Sequence, residues 1–290
     1  MRCSLFQCEE GRLSRTLVAI TGASSGIGAT FARKLAPEHD LLLIARRKDR
    51  LEQLADELNA QHGTDCEIVA ADLAIDADVS RVAERIGSDP RLVLLINNAG
   101  FGSKGRFWES PLSIQQDMHK VHVMAPVHLT HAALRNMTPR DTGGIINVAS
   151  VSAFVRNAGS VSYGATKSWM TSFTEGLYLE LKATQSNIVV QALCPGFTYS
   201  EFHDKLSVNR ERLAKSAFWL TAEEVVDASL NGLRRRRLFV IPGWRYRLLT
   251  TFLTKIPSRL RLLLESTATR SRQREMGIDA SAQKQIANGD

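Results

Sequence analysis

Tyr163 and Lys167 lie four positions apart in Val161-Ser-Tyr-Gly-Ala-Thr-Lys167, a spacing that puts both side chains on one face of a helix. A phenol ionises near ~10 and a lysine near ~10.4, so neither group alone exchanges protons readily at neutral pH. An ammonium held beside a phenol favours the charged form and draws its pKa down. That would make the pair a proton donor and acceptor near neutrality. Ser150 comes thirteen residues before the tyrosine, just after the apolar run Gly144-Ile-Ile-Asn-Val-Ala149. A strand would end there, and a hydroxyl at its tip could hydrogen-bond a substrate oxygen. The plainer alternative is an ordinary Tyr-x-x-x-Lys surface pair, because a short motif is only a hypothesis about chemistry. The surrounding elements decide between the two.

Those elements alternate. Leu17-Val-Ala-Ile20, Asp40-Leu-Leu-Leu-Ile44, Cys66-Glu-Ile-Val-Ala70, Leu92-Val-Leu-Leu-Ile96, Gly144 to Val148, Asn187 to Leu193 and Leu238-Phe-Val-Ile241 read as short strands. Helical patterns fall between them: a stretch ending at Leu35, Lys48 to His62, Asp76 to Ile86, one or two helices within Pro111 to Met137, the Tyr163 helix to about Lys182, and a helix opened by Thr221-Ala-Glu-Glu224. The alternation predicts an α/β doubly wound parallel sheet, a Rossmann fold, in one domain over residues 16–241. Thr21-Gly-Ala-Ser-Ser-Gly-Ile-Gly28 sits between the first strand and the first helix. A glycine-rich turn in that place lets backbone approach a pyrophosphate at the helix N-terminus.

The glycines are spaced G-x-x-x-G-x-G, and Asn97-Asn98-Ala99-Gly100, Ser150, Tyr163-x-x-x-Lys167 and Pro195-Gly196 follow in that order. Over roughly residues 16–240 the chain therefore resembles the short-chain dehydrogenase/reductase family. The resemblance implies that Tyr163 is the acid/base, that Lys167 binds the nicotinamide ribose and tunes the tyrosine, and that Ser150 steadies the carbonyl. It implies dinucleotide contacts from Gly22, Ser24, Ser25, Gly26, Ile27 and Gly28, from Asp72 and Leu73 at the adenine, and from Asn98, Ala99 and Gly100 beside the cofactor. Pro195 and Gly196 would face the nicotinamide, with Thr198 or Ser200 at its carboxamide. Asp72 could equally cap the following helix. Where the family carries an asparagine that holds a relay water, this chain reads Lys120-Val-His-Val123. His122 could hold such a water, could titrate, or could simply pack between helices.

After the second strand, NAD-selective relatives place an acid. Here Ala45-Arg46-Arg47 stands in its place. A guanidinium can bind a 2′-phosphate bidentately and no carboxylate repels it, so NADP(H) is expected over NAD(H), through Arg46 and Arg47. The expected function is an NADP(H)-dependent oxidoreductase interconverting a carbonyl and a secondary alcohol, reducing an apolar ketone or aldehyde. Two alternatives stand beside it: a membrane-surface reductase of 3-ketoacyl or steroid-like lipids, and a non-catalytic NADP(H)-binding regulator.

Composition is that of an ordinary globular chain: 290 residues, 44% hydrophobic and 23% charged. No apolar run approaches the roughly 18–20 residues of a membrane span, and the first residues lack a signal-peptide core. Cys3, Cys8, Cys66 and Cys194 show no zinc-type spacing. Reduced thiols, a cytoplasmic location and no metal are expected, with Cys194 a packed thiol. The net charge of +7 is concentrated late, from Arg234-Arg-Arg-Arg237 onward. A nucleotide-cofactor pattern upstream argues against nucleic acid as the partner. Residues 1–15 read as a lightly packed lead-in, Phe197 to Leu220 as a mobile substrate cover, and 267–290 as a polar, disordered tail. Residues 242–266 form a basic amphipathic extension in which Trp244, Leu248, Leu249, Phe252, Leu253 and Ile256 share one helical face. That face is expected to pack on the body or a partner subunit, with peripheral membrane contact through 244–264 as the alternative. The stripe Trp169, Phe173, Leu177 and Leu181 suits core or subunit contact, and the resemblance implies a homodimer or homotetramer.

Overall fold

A computed structural model describes residues 15–103, 105–155, 158–199, 218–257, 259–263 and 265–266. Seven parallel strands form one sheet: β1 (Leu17–Thr21), β2 (Asp40–Ala45), β3 (Cys66–Ala70), β4 (Leu92–Asn97), β5 (Gly144–Val148), β6 (Val189–Leu193) and β7 (Phe239–Val240). Their spatial order is β3-β2-β1-β4-β5-β6-β7. The order reverses between β1 and β4, and a doubly wound sheet opens its ligand crevice at that switch point, beyond the carboxyl ends of the strands. β1, β2, β4 and β5 are buried along their whole length. That is why they read as continuous apolar runs with no alternation.

Helices cover both faces. α1 (Gly26–Leu35), α2 (Lys48–His62) and α7 (Ala222–Arg234) pack on the face that carries Val18, Ile20, Leu41 and Leu43. α3 (Asp76–Ser88), α5 (Ala125–Met137) and α6 (Val161–Ala183) pack on the face that carries Leu17, Ala19, Leu42 and Ile44. Successive strand side chains point to opposite faces, so one apolar run supplies both halves of the core. Thr221 caps α7 through a reciprocal capping box with Glu224. Asp72 does not cap α3: Ile75 holds that position, and the Asp72 carboxylate accepts instead from Ala74 N–H at 3.0 Å.

The stretch Pro111 to Met137 resolves into α4 (Leu112–His119), a π-helical turn at Lys120–Met124, and α5. Pro126 has no N–H to return to the His122 carbonyl four residues back, which accounts for the widened turn there. The helix after β7, α8 (Trp244–Lys255), departs from the sequence expectation. Its inward residues are Tyr246, Thr250 and Leu253, whereas Trp244, Leu248 and Phe252 are 58%, 62% and 61% exposed. The expected apolar face thus points largely outward. Arg234 to Arg237 do not extend the basic rim of α8: they precede β7, at the sheet end opposite the crevice, where Arg236 donates to the Asn187 carbonyl at 3.1 Å. Leu177 and Leu181 pack partly on the core, and Trp169 stacks on Phe173 at 4.8 Å. Residues 1–14, 200–217 and 267–290 lie outside the described residues, and with them Cys3, Cys8, Ser200 and most of the expected substrate cover.

Candidate active site

Chain order along the sheet gathers the expected residues at one end. β5 delivers Ser150 in extended conformation, as the cap of a short turn, Val151–Ala153. Ser150 Oγ accepts from Ser152 N–H at 3.1 Å, and its side chain stands near enough to the Tyr163 phenol to favour the ionised form. α6 is held against the sheet end by a buried amide ladder. Asn97 Nδ2 donates to Asn147 Oδ1 at 2.8 Å and to Thr130 Oγ1 at 3.0 Å, and Asn147 Nδ2 donates to Thr174 Oγ1 at 2.9 Å. Both buried Nδ2 groups are paired, as buried donors need to be, so this ladder fixes the register of β4, β5, α5 and α6 around the site.

Electrostatics differ from the simplest expectation. Burial raises the Tyr163 phenol above its usual value, and the nearby Ser150 side chain offsets only part of the rise. Lys167 is oriented by a backbone contact of its own. Its Nζ donates to the Val148 carbonyl at 2.7 Å and lies 5.8 Å from the Tyr163 ring centre. Burial has drawn the lysine itself down to about 8, which still leaves it mostly an ammonium at neutral pH. Cys194, buried under the same strand end, is pushed up to about 12 by burial and stays a protonated thiol, inert as a nucleophile.

His122 is fully buried. Nε2 accepts from Phe101 N–H at 3.0 Å, which leaves Nδ1 to carry the proton and donate to Thr166 Oγ1 at 2.9 Å. Thr166 in turn donates to the Tyr163 carbonyl at 3.0 Å. Both ring nitrogens are thereby engaged by protein groups, and burial, reinforced by Lys167 and His119, drops the imidazole well below its usual pKa. The two chemical roles entertained for His122, water holder and titrating group, are corrected. It is a neutral brace between the loop after β4 and the tyrosine helix. His122→Asn is expected to lower stability by about 1–3 kcal/mol, since it strands the buried Phe101 amide. The pH–activity profile between 5 and 7 should keep its shape. A profile that flattens below neutrality would restore the titrating role. Wild-type stability itself should fall as pH drops through about 6.5, because the unfolded imidazole takes up a proton that the folded one refuses.

The dinucleotide residues take up places along the crevice. Gly22 has φ +66°, and a Cβ there would lie 2.9 Å from Ala99 Cα. At Gly28 a Cβ would meet the Gly22 carbonyl oxygen at 2.3 Å. Ser25 caps α1 without a side-chain bond to its first turn, so the helix presents backbone N–H groups at the turn. This suits a pyrophosphate. Asn98 closes the turn from the other strand, with Nδ2 donating to the Thr21 carbonyl at 2.9 Å and its N–H donating to Thr21 Oγ1 at 2.9 Å. Ala99 N–H donates to the same hydroxyl at 3.0 Å. Gly100 passes so close to His122 that a Cβ would fall 2.8 Å from Nε2.

Arg47 Nη2 donates to Ser24 Oγ at 3.1 Å and Ser25 Oγ at 2.9 Å, so its charge sits on the glycine turn. Arg46 lies further out, 65% exposed, in a loose 3.7 Å pair with Asp72. Leu73 is buried in the core, and Ile27 packs partly against it. Pro195 accepts from Val151 N–H at 3.0 Å, which seats the Pro195-Gly196 turn beside Ser150. Thr198 is buried and donates back to the Gly196 carbonyl at 3.1 Å.

Sequence reasoning missed Tyr246. Its ring covers Gly196, and its hydroxyl accepts from Phe197 N–H at 2.9 Å and donates to the Phe218 carbonyl at 2.6 Å. The helical pattern put it off the apolar face, so periodicity held no signal for it.

A parallel sheet in 3-2-1-4-5-6-7 order with a glycine turn at its switch point, and a serine, tyrosine and lysine gathered at the end of the fifth strand, defines an α/β fold of the dinucleotide-binding kind. The family model described as short chain dehydrogenase matches residues 16–211, and the chain belongs to that family. A short-chain dehydrogenase from Sphingobium yanoikuyae, solved in complex with NADPH, is 35% identical and superposes with a TM-score of 0.75 over 84% of this chain and 97% of that one. A bulky-bulky ketone specific alcohol dehydrogenase from Comamonas testosteroni is 31% identical, with a TM-score of 0.71 over 84% and 95%. A short chain dehydrogenase from Pseudocercospora fijiensis is 34% identical over 200 residues, 66% of this chain, and the match spans 62% of that relative's length.

Proposed function

We propose that the chain is an NADP(H)-dependent oxidoreductase that reduces a bulky apolar ketone or aldehyde to the alcohol. The observation that carries the reading is the convergence of Ser150, Tyr163 and Lys167 at the crevice end of β5. Two hydroxyls at one place can both donate to one carbonyl oxygen, steadying the charge that develops on it. Tyr163, with its pKa raised by burial, is protonated at neutral pH, the form that reduction requires of a proton donor. A bound reduced nicotinamide dinucleotide supplies the electron pair as hydride to the carbonyl carbon. Tyr163 supplies the proton to the oxygen, so that one hydride and one proton convert C=O to CH–OH. Lys167, deep behind the tyrosine, would hold the ribose. Arg47, with support from Arg46, would hold a 2′-phosphate.

Several further features support a bulky apolar substrate. The loop after β4 carries exposed Phe107 and Trp108, and its Gly105 lies within 4 Å of where a Gly159 side chain would begin, just upstream of Tyr163. The Comamonas relative named for bulky ketones has the same fold. The direct test is NADPH consumption by the full chain across aldehydes, bulky ketones, 3-oxoacyl thioesters and steroids. Binding of NADPH with no turnover on any of them would favour the non-catalytic regulator instead. A homodimer or homotetramer through the exposed flank of α6 is part of the same reading.

The outward face of α8 favours a second reading, in which the enzyme works at an anionic membrane surface. Trp244, Leu248, Phe252, Leu262 and Leu263 are more than half exposed, and Arg245, Arg247, Lys255 and Arg259 stand among them in sequence. No helix among the described residues is long and apolar enough to cross a membrane, so contact would be interfacial. The protein is expected to float with phosphatidylserine-containing vesicles and not with phosphatidylcholine alone. Leu248→Glu/Phe252→Glu should abolish flotation. Equal flotation of that variant sinks the reading. Truncation is a poorer test, because it also removes Tyr246.

A further inference from the structure

We propose that Tyr246, from a helix outside the family-matched region, is a positioning residue for the nicotinamide end of the dinucleotide. The inference rests on the function proposed above and concerns the turn Pro195 to Thr198. That turn is bonded to the backbone next to Ser150, so its position sets the wall facing the reacting groups. The matched region stops at residue 211, and what holds the turn from behind lies beyond it.

The contacts are specific to a tyrosine. Gly196 passes so close to the ring that a Cβ there would fall 2.0 Å from Tyr246 Cζ. The phenol accepts from Phe197 N–H and donates to the Phe218 carbonyl, joining two backbone segments that flank residues 200–217. It is itself only 4% exposed. The Phe218 ring meets Tyr246 edge-on at 5.8 Å, and the Arg245 guanidinium lies 6.0 Å from the centre of the same Phe218 ring. Beyond the Tyr246 bonds, Leu220 and Phe197 exchange a backbone hydrogen bond, as do Tyr199 and Leu220. The turn is therefore gripped by a clasp whose centre is one hydroxyl. A phenylalanine would keep the ring on Gly196 and lose both polar contacts. The Phe197 amide and Phe218 carbonyl would then lose the hydroxyl that bridges them, while the glycine turn of α1 and Arg47, on the far side of the crevice, keep their own contacts.

The test compares two ligands on the full chain. NADPH reaches the Pro195–Thr198 turn; 2′,5′-ADP carries the adenosine and both phosphates but no nicotinamide. Tyr246→Phe is expected to weaken NADPH about tenfold, the scale of one to two lost neutral hydrogen bonds, and to leave 2′,5′-ADP within about twofold. Its kcat should fall with an increased deuterium isotope effect from 4-deuterated NADPH, the sign of a hydride step made less favourable. Equal affinity for NADPH in the variant and wild type overturns the proposal. So does an equal loss for both ligands, which marks a general structural defect. Wild-type protein that binds neither ligand removes the proposed function itself, and this inference with it. Because the ring is retained, Tyr246→Phe is expected to fold. Should its melting temperature fall sharply, Tyr246→His, which keeps a ring and one polar contact, must show the same selective loss of NADPH or the proposal fails.

Discussion

Tyr163→Phe is expected to lower kcat/KM by about 10²–10⁴-fold with NADPH and any ketone the enzyme reduces, the range of a positioned general acid. The substitution deletes one oxygen. The ring remains against His122, which it meets edge-on at 5.8 Å, and α6 keeps the Thr166 and Asn147 bonds that fix it. Losing one hydroxyl and the hydrogen bonding it makes costs about 1 kcal/mol, too little to unfold a chain of this size. NADPH affinity should change by no more than about threefold, because the phenol acts on the proton and not on the dinucleotide's charged half. The measurement is a pair: kcat/KM by NADPH absorbance and Kd by titration of the same preparation. Loss of both together would point to a collapsed site; loss of neither would leave the proton without its proposed donor. The sign of the pH response follows from the raised phenol pKa. Reduction needs the protonated form and should hold through neutral pH, whereas oxidation of the alcohol needs the phenolate and should climb as pH rises.

The second large effect concerns coenzyme choice. Arg47→Ala is expected to cut kcat/KM for NADPH by about 10- to 100-fold, as charge-assisted hydrogen bonds of about 1.5–3 kcal/mol are lost, and to leave NADH within about threefold. Arg46→Ala should do less. Arg46 is mostly solvated and leans toward Asp72, and exposed charges contribute little when water can screen them, whereas Arg47 is partly buried on the Ser24 and Ser25 hydroxyls. The pair was symmetrical in sequence; the structure makes it unequal. Raised salt should shrink the Arg47 effect only modestly, since a partly buried contact is screened less than a surface one. Parallel loss with both coenzymes would mean that Arg47 supports the turn mechanically and does not read the phosphate.

Much of this was legible before any coordinates. Continuous apolar runs announced strands buried on both faces, glycine-rich and Asn-Asn-Ala-Gly turns announced the crevice, and the order of motifs along the chain placed Ser150, Tyr163 and Lys167 at one sheet end. Such features are local or depend on chain order, and a parallel sheet with right-handed crossovers leaves little freedom once the strands are known. Three matters were decided only in three dimensions. Periodicity showed which residues of α8 share a face but not whether that face turns in or out; Tyr246 won the inward position because Gly196 leaves room for its ring and two backbone groups need its hydroxyl. The role of His122 depended on partners 21 and 44 residues away, which no spacing rule encodes. The lysine's own ionisation and direction depended on packing, which brings Lys167 to about 8 and places its Nζ on the Val148 carbonyl. The residue types and their order thus determined which groups meet, and the packed interior, by removing water and choosing hydrogen-bond partners, determined their charge and what each one holds.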